Sequence, residues 1–208
     1  MAIKENREYR SIPLELRAEK RDGEESSFLV EGYASTFEPY VMFTDENGTE
    51  YKEQILPEAF EECDMSDVIF CKDHEGTVFA RTKNGTLELS VDDHGLFTKT
   101  DLSKTASARA MYEEIQAGMY SQMSFAFIVR EDDYDKKEHL RTIRKVQKLF
   151  DVAAVSFPAN PGTDISVATR DYFNGVIEME RAERLAHEQA LKEARDKFKS
   201  IGGKANES

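Results

Sequence analysis

The sequence contains no tryptophan and only two cysteines among its 208 residues. Cys63 and Cys71 stand outside any paired Cys/His spacing, which argues against a disulfide framework and against a structural zinc site. No segment approaches the roughly 18 consecutive apolar residues that a transmembrane helix needs, and the first ten residues lack the apolar core of a signal peptide. We therefore expect a soluble protein of a reducing compartment, with no membrane partner.

Basic residues are scarce as well, because 28 Lys and Arg stand against 41 Asp and Glu and leave a formal net charge of −13. Nucleic-acid binding needs clustered positive charge, so this balance predicts protein partners rather than DNA or RNA. The chain has no Gly-rich phosphate loop and no metal-binding motif, and we expect neither a cofactor nor a metal. Thirteen Phe and eight Tyr are enough to build a folded core.

Apolar and polar residues alternate in several short segments, as is typical of β-strands. These segments are SSFLVEGYASTF, GTLELSV, GLFTKTDL, MSFAFIV and KLFDVAAVSF. Asn84-Gly85 and Asp93-His94-Gly95 predict turns in which glycine supplies a positive φ. The spacing of Ala108, Met111, Tyr112 and Ile115 predicts a helix that ends near Gly118. The fold class that follows is α+β, mainly β, with an antiparallel sheet or barrel and helices packed outside it.

Changes in composition divide the chain into a polar N-terminal lead (1–25), a β-rich body (26–172) and a charged tail (173–208). In the tail, acidic and basic residues alternate, while Leu191, Ala194, Phe198 and Ile201 recur at spacings of three and four. This pattern predicts a solvated helix with a narrow apolar stripe.

Two residues stand out as candidates for catalysis. His74 follows the apolar segment DVIFCK and precedes Glu75-Gly76, which places it where a strand gives way to a loop. Ser124 shares a strand face with Ala126, whose small side chain leaves room for a substrate. A serine becomes a useful nucleophile only when a base reaches it, and spacing alone is equally compatible with structural roles for both residues.

Several segments in a fixed order resemble the prohead maturation proteases of tailed bacteriophages. They are EGYASTF, ILPEAF, FCKDHEGTVFARTKNGTLELSVDDHGLFTKTDL, IQAGMYSQMSFAFIV and LFDVAAVSFPANPGTDISVATR. The resemblance covers roughly Phe28 to Arg170. It implies a serine endopeptidase with a fold similar to that of the herpesvirus assemblins, an antiparallel β-barrel wrapped by helices. The charged C-terminal helix lies beyond the resemblance.

The resemblance also assigns roles to residues. The family's catalytic histidine, in its DH motif, corresponds to His74, and its nucleophilic serine, in its MSF motif, corresponds to Ser124. The third member is less clearly marked by a motif: Asp101 is the leading candidate, and Asp93 and His94 are alternatives. Because assemblin-like enzymes use an arginine-bearing loop to stabilise the oxyanion, Arg144 is a further candidate. These residues remain expectations of the resemblance.

The substrate that the resemblance implies is the scaffolding portion of the major capsid protein. Members of the family remove it inside the newly assembled procapsid and commonly cleave themselves, which implies the host cytoplasm and then the procapsid interior as the location. Self-association is a further expectation, and the C-terminal helix is hypothesised to pair with scaffold helices. The alternative is a catalytically silent assembly or scaffolding protein on the same fold.

Overall fold

The computed structural model describes residues 7–12, 17–19, 28–156 and 167–202. Within these ranges the chain is mainly β and forms eleven strands, two α-helices and two short 3-10 helices at Pro57–Phe60 and Thr82–Asn84. The strands are β1 (Glu8–Ile12), β2 (Arg17–Glu19), β3 (Leu29–Thr36), β4 (Tyr40–Thr44), β5 (Glu50–Ile55), β6 (Ile69–Lys72), β7 (Glu75–Arg81), β8 (Leu87–Val91), β9 (Gly95–Asp101), β10 (Gln122–Asp135) and β11 (Leu140–Val155). The helices are α1 (Ala106–Gln116) and α2 (Val167–Gly202).

The chain divides into two compact units, Met1–Ser166 and Val167–Ser208. The first contains all eleven strands and α1, and the second contains α2, the charged helix predicted for the tail. Leu191 is exposed on α2, while the side chains of Phe198 and Ile201 lie outside the described residues, as does most of the lead 1–25 and the segment 157–166. None of the helices described is long and apolar enough to cross a membrane.

The larger sheet has seven strands and is organised around β11. Strand β10 runs antiparallel beside β11, and β1 pairs antiparallel with the other edge of β10. On its far side, β11 pairs in parallel with β5 through residues 140–143 and with β6 through residues 151–154. Strands β4 and β7 extend the sheet beyond β5 and β6. Because β11 is 16 residues long, it can pair with two strands along the same edge.

The smaller sheet is antiparallel throughout, in the order β2-β3-β9-β8. The closed antiparallel barrel implied by the resemblance is not found among the described strands, which form two sheets instead. The larger sheet is mixed because β5 and β6 both run parallel to β11. Parallel partners need long crossover connections, and residues 56–139 and 73–139 supply them.

The core lies beneath β10 and α1. Phe125 and Phe127 are fully buried on one face of β10 and pack with Phe70 and Leu149 in one apolar cluster. Helix α1 buries the four residues predicted to share its inner face, and the Thr105 hydroxyl caps its first turn by accepting a hydrogen bond of 3.0 Å from the Ala108 N–H. Ser124 and Ala126 on the opposite face of β10 are fully buried too, so this strand is covered on both sides.

Gly95 is required by a close approach of two backbones. Gly85 has the predicted positive φ of 73°, but Gly95 does not, so the prediction was wrong there. Gly95 pairs with Thr36 on β3, and a Cβ atom on it would lie 1.9 Å from the Ser35 carbonyl oxygen. The Asp92 carboxylate completes the turn by accepting the Gly95 N–H at 3.0 Å.

Four buried charged side chains, Glu8, Arg10, Glu53 and Arg141, form an ion cluster that ties β1 to β5 and β11. The Arg10 guanidinium contacts both oxygens of Glu53 at 2.5 and 2.6 Å and reaches Glu8 at 2.5 Å. Arg141 donates to Glu8 at 2.7 and 3.0 Å and to Glu53 at 3.1 Å. Each of the four side chains is at most 7% exposed. Because two positive charges face two negative charges, the cluster satisfies groups that would be costly to bury singly.

We expect Gly95→Ala to destabilise the protein. The atom that blocks the new methyl group belongs to the backbone of β3, so relief requires a strand to move, and the expected loss is at least about 1–3 kcal/mol of unfolding free energy. Urea unfolding followed by circular dichroism measures it. Gly175→Ala is the control, because its Cβ meets nothing within 4 Å and its stability should be unchanged or higher. Equal midpoints for wild type and Gly95→Ala would contradict the close-approach explanation.

Because Glu8 belongs to the ion cluster, we expect the folded state to lose stability in acid. Burial alone would raise the pKa of Glu8, but Arg10 and Arg141 lower it from 4.5 to about 2. A carboxylate with a depressed pKa stabilises the folded state fully above its unfolded pKa, so this contribution should fade as pH falls from about 4.5 to about 2. Glu8→Gln should therefore be less stable than wild type at pH 7, with a gap that closes in acid. The exposed Glu88→Gln serves as control, and a gap for Glu8→Gln that is independent of pH would refute the assignment.

Candidate active site

His74 lies in the two-residue turn between β6 and β7. Lys72 pairs with Glu75, so Asp73 and His74 form the loop, with φ angles of 47° and 59°. Tight hairpin turns of this kind need positive φ at both positions, which Asp and His adopt at a modest energetic cost. The Asp73 N–H donates to the Ala154 carbonyl at 3.1 Å and fastens the turn to the end of β11. The Asp-His motif is therefore a strained turn that projects the imidazole over the sheet.

Ser124 lies near the start of β10, between two hydrogen-bonded strands. Its Cα partners are Ser11 on β1 and Ala153 on β11. The residue is fully buried. Its position is thus set by backbone pairing on both sides rather than by a flexible loop.

The structure brings Ser124 and His74 together, and it adds Asp151. Ser124 Oγ lies 2.6 Å from His74 Nε2, and Asp151 Oδ1 lies 2.5 Å from His74 Nδ1. The His74 side chain is 16% exposed and that of Asp151 only 6%. When the neutral ring carries its proton on Nδ1 and donates it to the carboxylate, Nε2 is left to accept the Ser124 hydroxyl proton. This is the order of contacts that activates a serine for nucleophilic attack.

Sequence reasoning missed Asp151, although the sequence carried a signal. The residue interrupts the apolar segment LFDVAAV, in which Phe150 is partly buried and Leu149 and the residues 152–155 are buried in β11. A carboxylate in the middle of a buried strand needs a partner, because burying an unpaired charge is costly. The apolar pattern of the segment indicates a strand but does not indicate which side chain meets the carboxylate.

The leading third candidate, Asp101, lies elsewhere. It ends β9, where its carboxylate accepts the Ser103 N–H at 2.9 Å and pairs with Lys104 at 3.0 Å. Burial alone would raise the pKa of Asp101, but these contacts lower it. The carboxylate therefore organises the connection from β9 to α1, and Asp151 takes the place beside His74.

The two alternatives for the third member, Asp93 and His94, lie in the turn between β8 and β9 of the smaller sheet. Asp93 is exposed, and the His94 ring packs edge-on against Tyr33 with ring centroids 4.5 Å apart. The turn is held by Asp92, which accepts the His94 N–H at 2.8 Å. Both residues thus belong to a turn that is held by Asp92 and by the Tyr33 ring of β3.

Arg144, the candidate oxyanion donor, points away from this centre. Its half-exposed guanidinium pairs with Asp133 on β10. Its neighbour Lys145 lies opposite Glu131, seven residues beyond Ser124 along β10. At about 3.3 Å per residue this separation is roughly 23 Å, too far for an arginine side chain to reach the serine.

Neither cysteine is a good candidate for a nucleophile. Burial and the negative charge of Asp151 raise the pKa of Cys71 to about 12. Burial also raises the pKa of Cys63, to about 11. Both thiols stay protonated at neutral pH, whereas reactive cysteines have lowered pKa values. Across residues 7–12, 17–19, 28–156 and 167–202, no group of His, Cys, Asp and Glu side chains is arranged to hold a metal ion.

Comparison with known proteins agrees with the motifs. Residues 13–176 match the family model of the caudovirus prohead serine protease. The chain is also 29% identical over 154 residues to the prohead protease of Enterobacteria phage HK97; the alignment covers 71% of this chain and 63% of the length of that relative. No solved structure matches the chain. Since the family model covers most of the sequence, including the two motifs that meet at this site, the chain belongs to the caudovirus prohead serine protease family.

Proposed function

We propose that this chain is a serine endopeptidase in which Ser124 is the nucleophile, His74 the general base and Asp151 the residue that orients the base. The observation that carries the proposal is the continuous contact from Ser124 Oγ through both imidazole nitrogens to Asp151, at 2.6 and 2.5 Å. Membership of a family of prohead serine proteases supports it.

The proposed reaction uses each contact in turn. His74 Nε2 accepts the hydroxyl proton while Ser124 Oγ attacks the peptide carbonyl carbon, and the imidazolium formed then protonates the leaving amine. The peptide C–N bond breaks and an ester to Ser124 remains. Water, deprotonated by the same imidazole, attacks this ester, and the serine recovers its proton as the new carboxyl product leaves.

Asp151 contributes by its position and its charge. Its carboxylate accepts the Nδ1 proton, which keeps the lone pair of Nε2 directed at Ser124. The imidazolium that forms during the reaction then lies beside a negative charge that is largely shielded from water. Ionic attraction is stronger in such surroundings than in bulk solvent, so the charge separation in the transition state is stabilised.

For the substrate, we propose the scaffolding portion of the major capsid protein, with cleavage of the protease itself as a second reaction. The family description and the printed name of the relative both refer to the prohead. The site of action would then be the procapsid interior, reached from the host cytoplasm. In this proposal the capsid protein is the partner, and self-association at high local concentration accompanies assembly.

We expect Ser124→Ala to abolish both covalent labelling by a fluorophosphonate and the appearance of cleavage products. The alanine removes the attacking oxygen, while a small side chain still fits the buried position. Intact mass spectrometry, over a range of protein concentrations and with cognate capsid protein, measures both results. His74→Asn is a second variant, since asparagine tolerates the positive φ of the turn.

The outcome also separates the proposal from its alternative. Discrete masses that appear with wild type and not with Ser124→Ala establish a serine protease and locate its cleavage sites. If wild type is neither labelled nor cleaved at any concentration, and capsid particles still assemble with it, the result would instead support the catalytically silent assembly protein.

A matched pair of aspartate variants tests the third member. We expect Asp151→Asn to slow labelling and cleavage by roughly 10⁴-fold, because the amide favours the wrong imidazole tautomer. Asp101→Asn makes the same chemical change at a residue that contacts Ser103 and Lys104, and its rate should stay close to wild type. Comparable rates for both variants, or a larger loss in Asp101→Asn, would contradict the role of Asp151.

A further inference from the structure

Strand β1 precedes residues 13–176, which match the family model, yet it lies along the strand that carries Ser124. We propose that Tyr9 on this strand is a positioning residue for His74, whose ring it holds in the orientation that the reaction needs. This inference rests on the proposed function and extends the active site to a segment that neither the motifs nor the family match includes.

The register of β1 places Tyr9 on the catalytic face of the sheet. Ser11 lies opposite Ser124, and Tyr9 lies opposite Ala126. Residues paired across antiparallel strands point to the same face, so Tyr9 shares the face of Ser124. Arg10, between them, points to the other face and lies over the Phe127 ring in the core.

The Tyr9 ring meets the imidazole directly. The two ring centroids are 4.7 Å apart and the planes are inclined at 70°, an edge-on arrangement that is favourable for aromatic pairs. The hydrogen bonds to Ser124 and Asp151 hold the imidazole at its two nitrogens but leave tilting about the line between them weakly opposed. A ring packed against the imidazole opposes that tilt.

Strand β1 is itself firmly held, which makes it a suitable support. The Arg10 side chain contacts Glu53 within the ion cluster, while the Arg10 backbone carbonyl lies 2.9 Å from Ser124 Oγ and is a second acceptor, beside His74 Nε2, for the single hydroxyl proton. One residue therefore anchors the strand on the core face and touches the nucleophile from the backbone. Tyr9, adjacent to it, is fixed relative to both catalytic groups.

The test is the second-order rate constant for labelling of Ser124 by a small fluorophosphonate, which reports the reactivity of the serine without contacts to a peptide. We expect Tyr9→Ala to lower this constant by about 10- to 100-fold, because small misplacements of a catalytic group carry losses of this size. Tyr9→Phe keeps the ring and should retain the wild-type constant. With capsid protein as substrate, the loss in Tyr9→Ala should fall on kcat and leave KM unchanged.

Tyr33→Ala is the matched control. The Tyr33 ring packs edge-on against His94 in the smaller sheet, with centroids 4.5 Å apart and planes inclined at 76°. The variant therefore removes a tyrosine ring from beside a histidine that lies outside the proposed site. Labelling of Tyr33→Ala should match wild type at temperatures where the variant stays folded. If thermal unfolding shows that Tyr9→Ala does not fold, Tyr9→Leu replaces it, since leucine preserves apolar bulk without a ring.

The outcomes separate this inference from the proposed function. If wild type is not labelled, or if Ser124→Ala is labelled to the same extent as wild type, the proposed serine protease itself is refuted. Labelled wild type together with an equally reactive, folded Tyr9→Ala or Tyr9→Leu overturns the role of Tyr9. A Tyr9→Phe variant as slow as Tyr9→Ala would overturn it too, because the ring would then not be the group that matters.

Discussion

The pairing of β10 with β11 is the constraint on which the site depends. Ser124 lies opposite Ala153 and Ala126 lies opposite Asp151, so Ser124 and Asp151 are diagonal neighbours on one face of the sheet. Diagonal positions in an antiparallel pair are about 7–8 Å apart, a gap that one imidazole with a hydrogen bond at each nitrogen spans. A slip of one residue in this register would turn one of the two side chains to the opposite face and remove the gap.

The imidazole reaches this gap because β6 adds to β11 in parallel. Ala154 pairs with Lys72, and the turn that follows holds His74 at a positive φ of 59°. Such a conformation costs energy for a residue with a side chain, and surrounding contacts must sustain it. The hydrogen bond from the Asp73 N–H to Ala154 and the contacts of the ring itself provide them. The contacts that hold the turn in this strained conformation therefore also fix the position of the imidazole.

The sequence predicted those parts of the molecule that local patterns determine. Short motifs marked His74 and Ser124 as candidates, and the structure brings the two side chains within 2.6 Å of each other. The buried face of α1 followed from the positions of four apolar residues. Asp151 was missed because its significance lies in a register between strands, and alternation within one strand does not reveal which partner it meets. The two sheets were missed for the same reason, since nothing local in β11 indicates that it pairs in parallel with both β5 and β6.

The parts of the site differ in how far apart they lie along the chain. Ser124 and Asp151 belong to one hairpin, whereas His74 lies 77 residues from Asp151 and 50 from Ser124. The hairpin can form from local contacts. The imidazole takes its place only when β6 pairs with β11, and because a long segment of chain separates these two strands, that step has a larger entropic cost. Strand β1 adds a third, still more distant contact, since Arg10 meets Ser124 across 114 residues. The proposed nucleophile, base and supporting strand therefore meet only in the completed sheet, so the proposed mechanism requires that the whole sheet has folded.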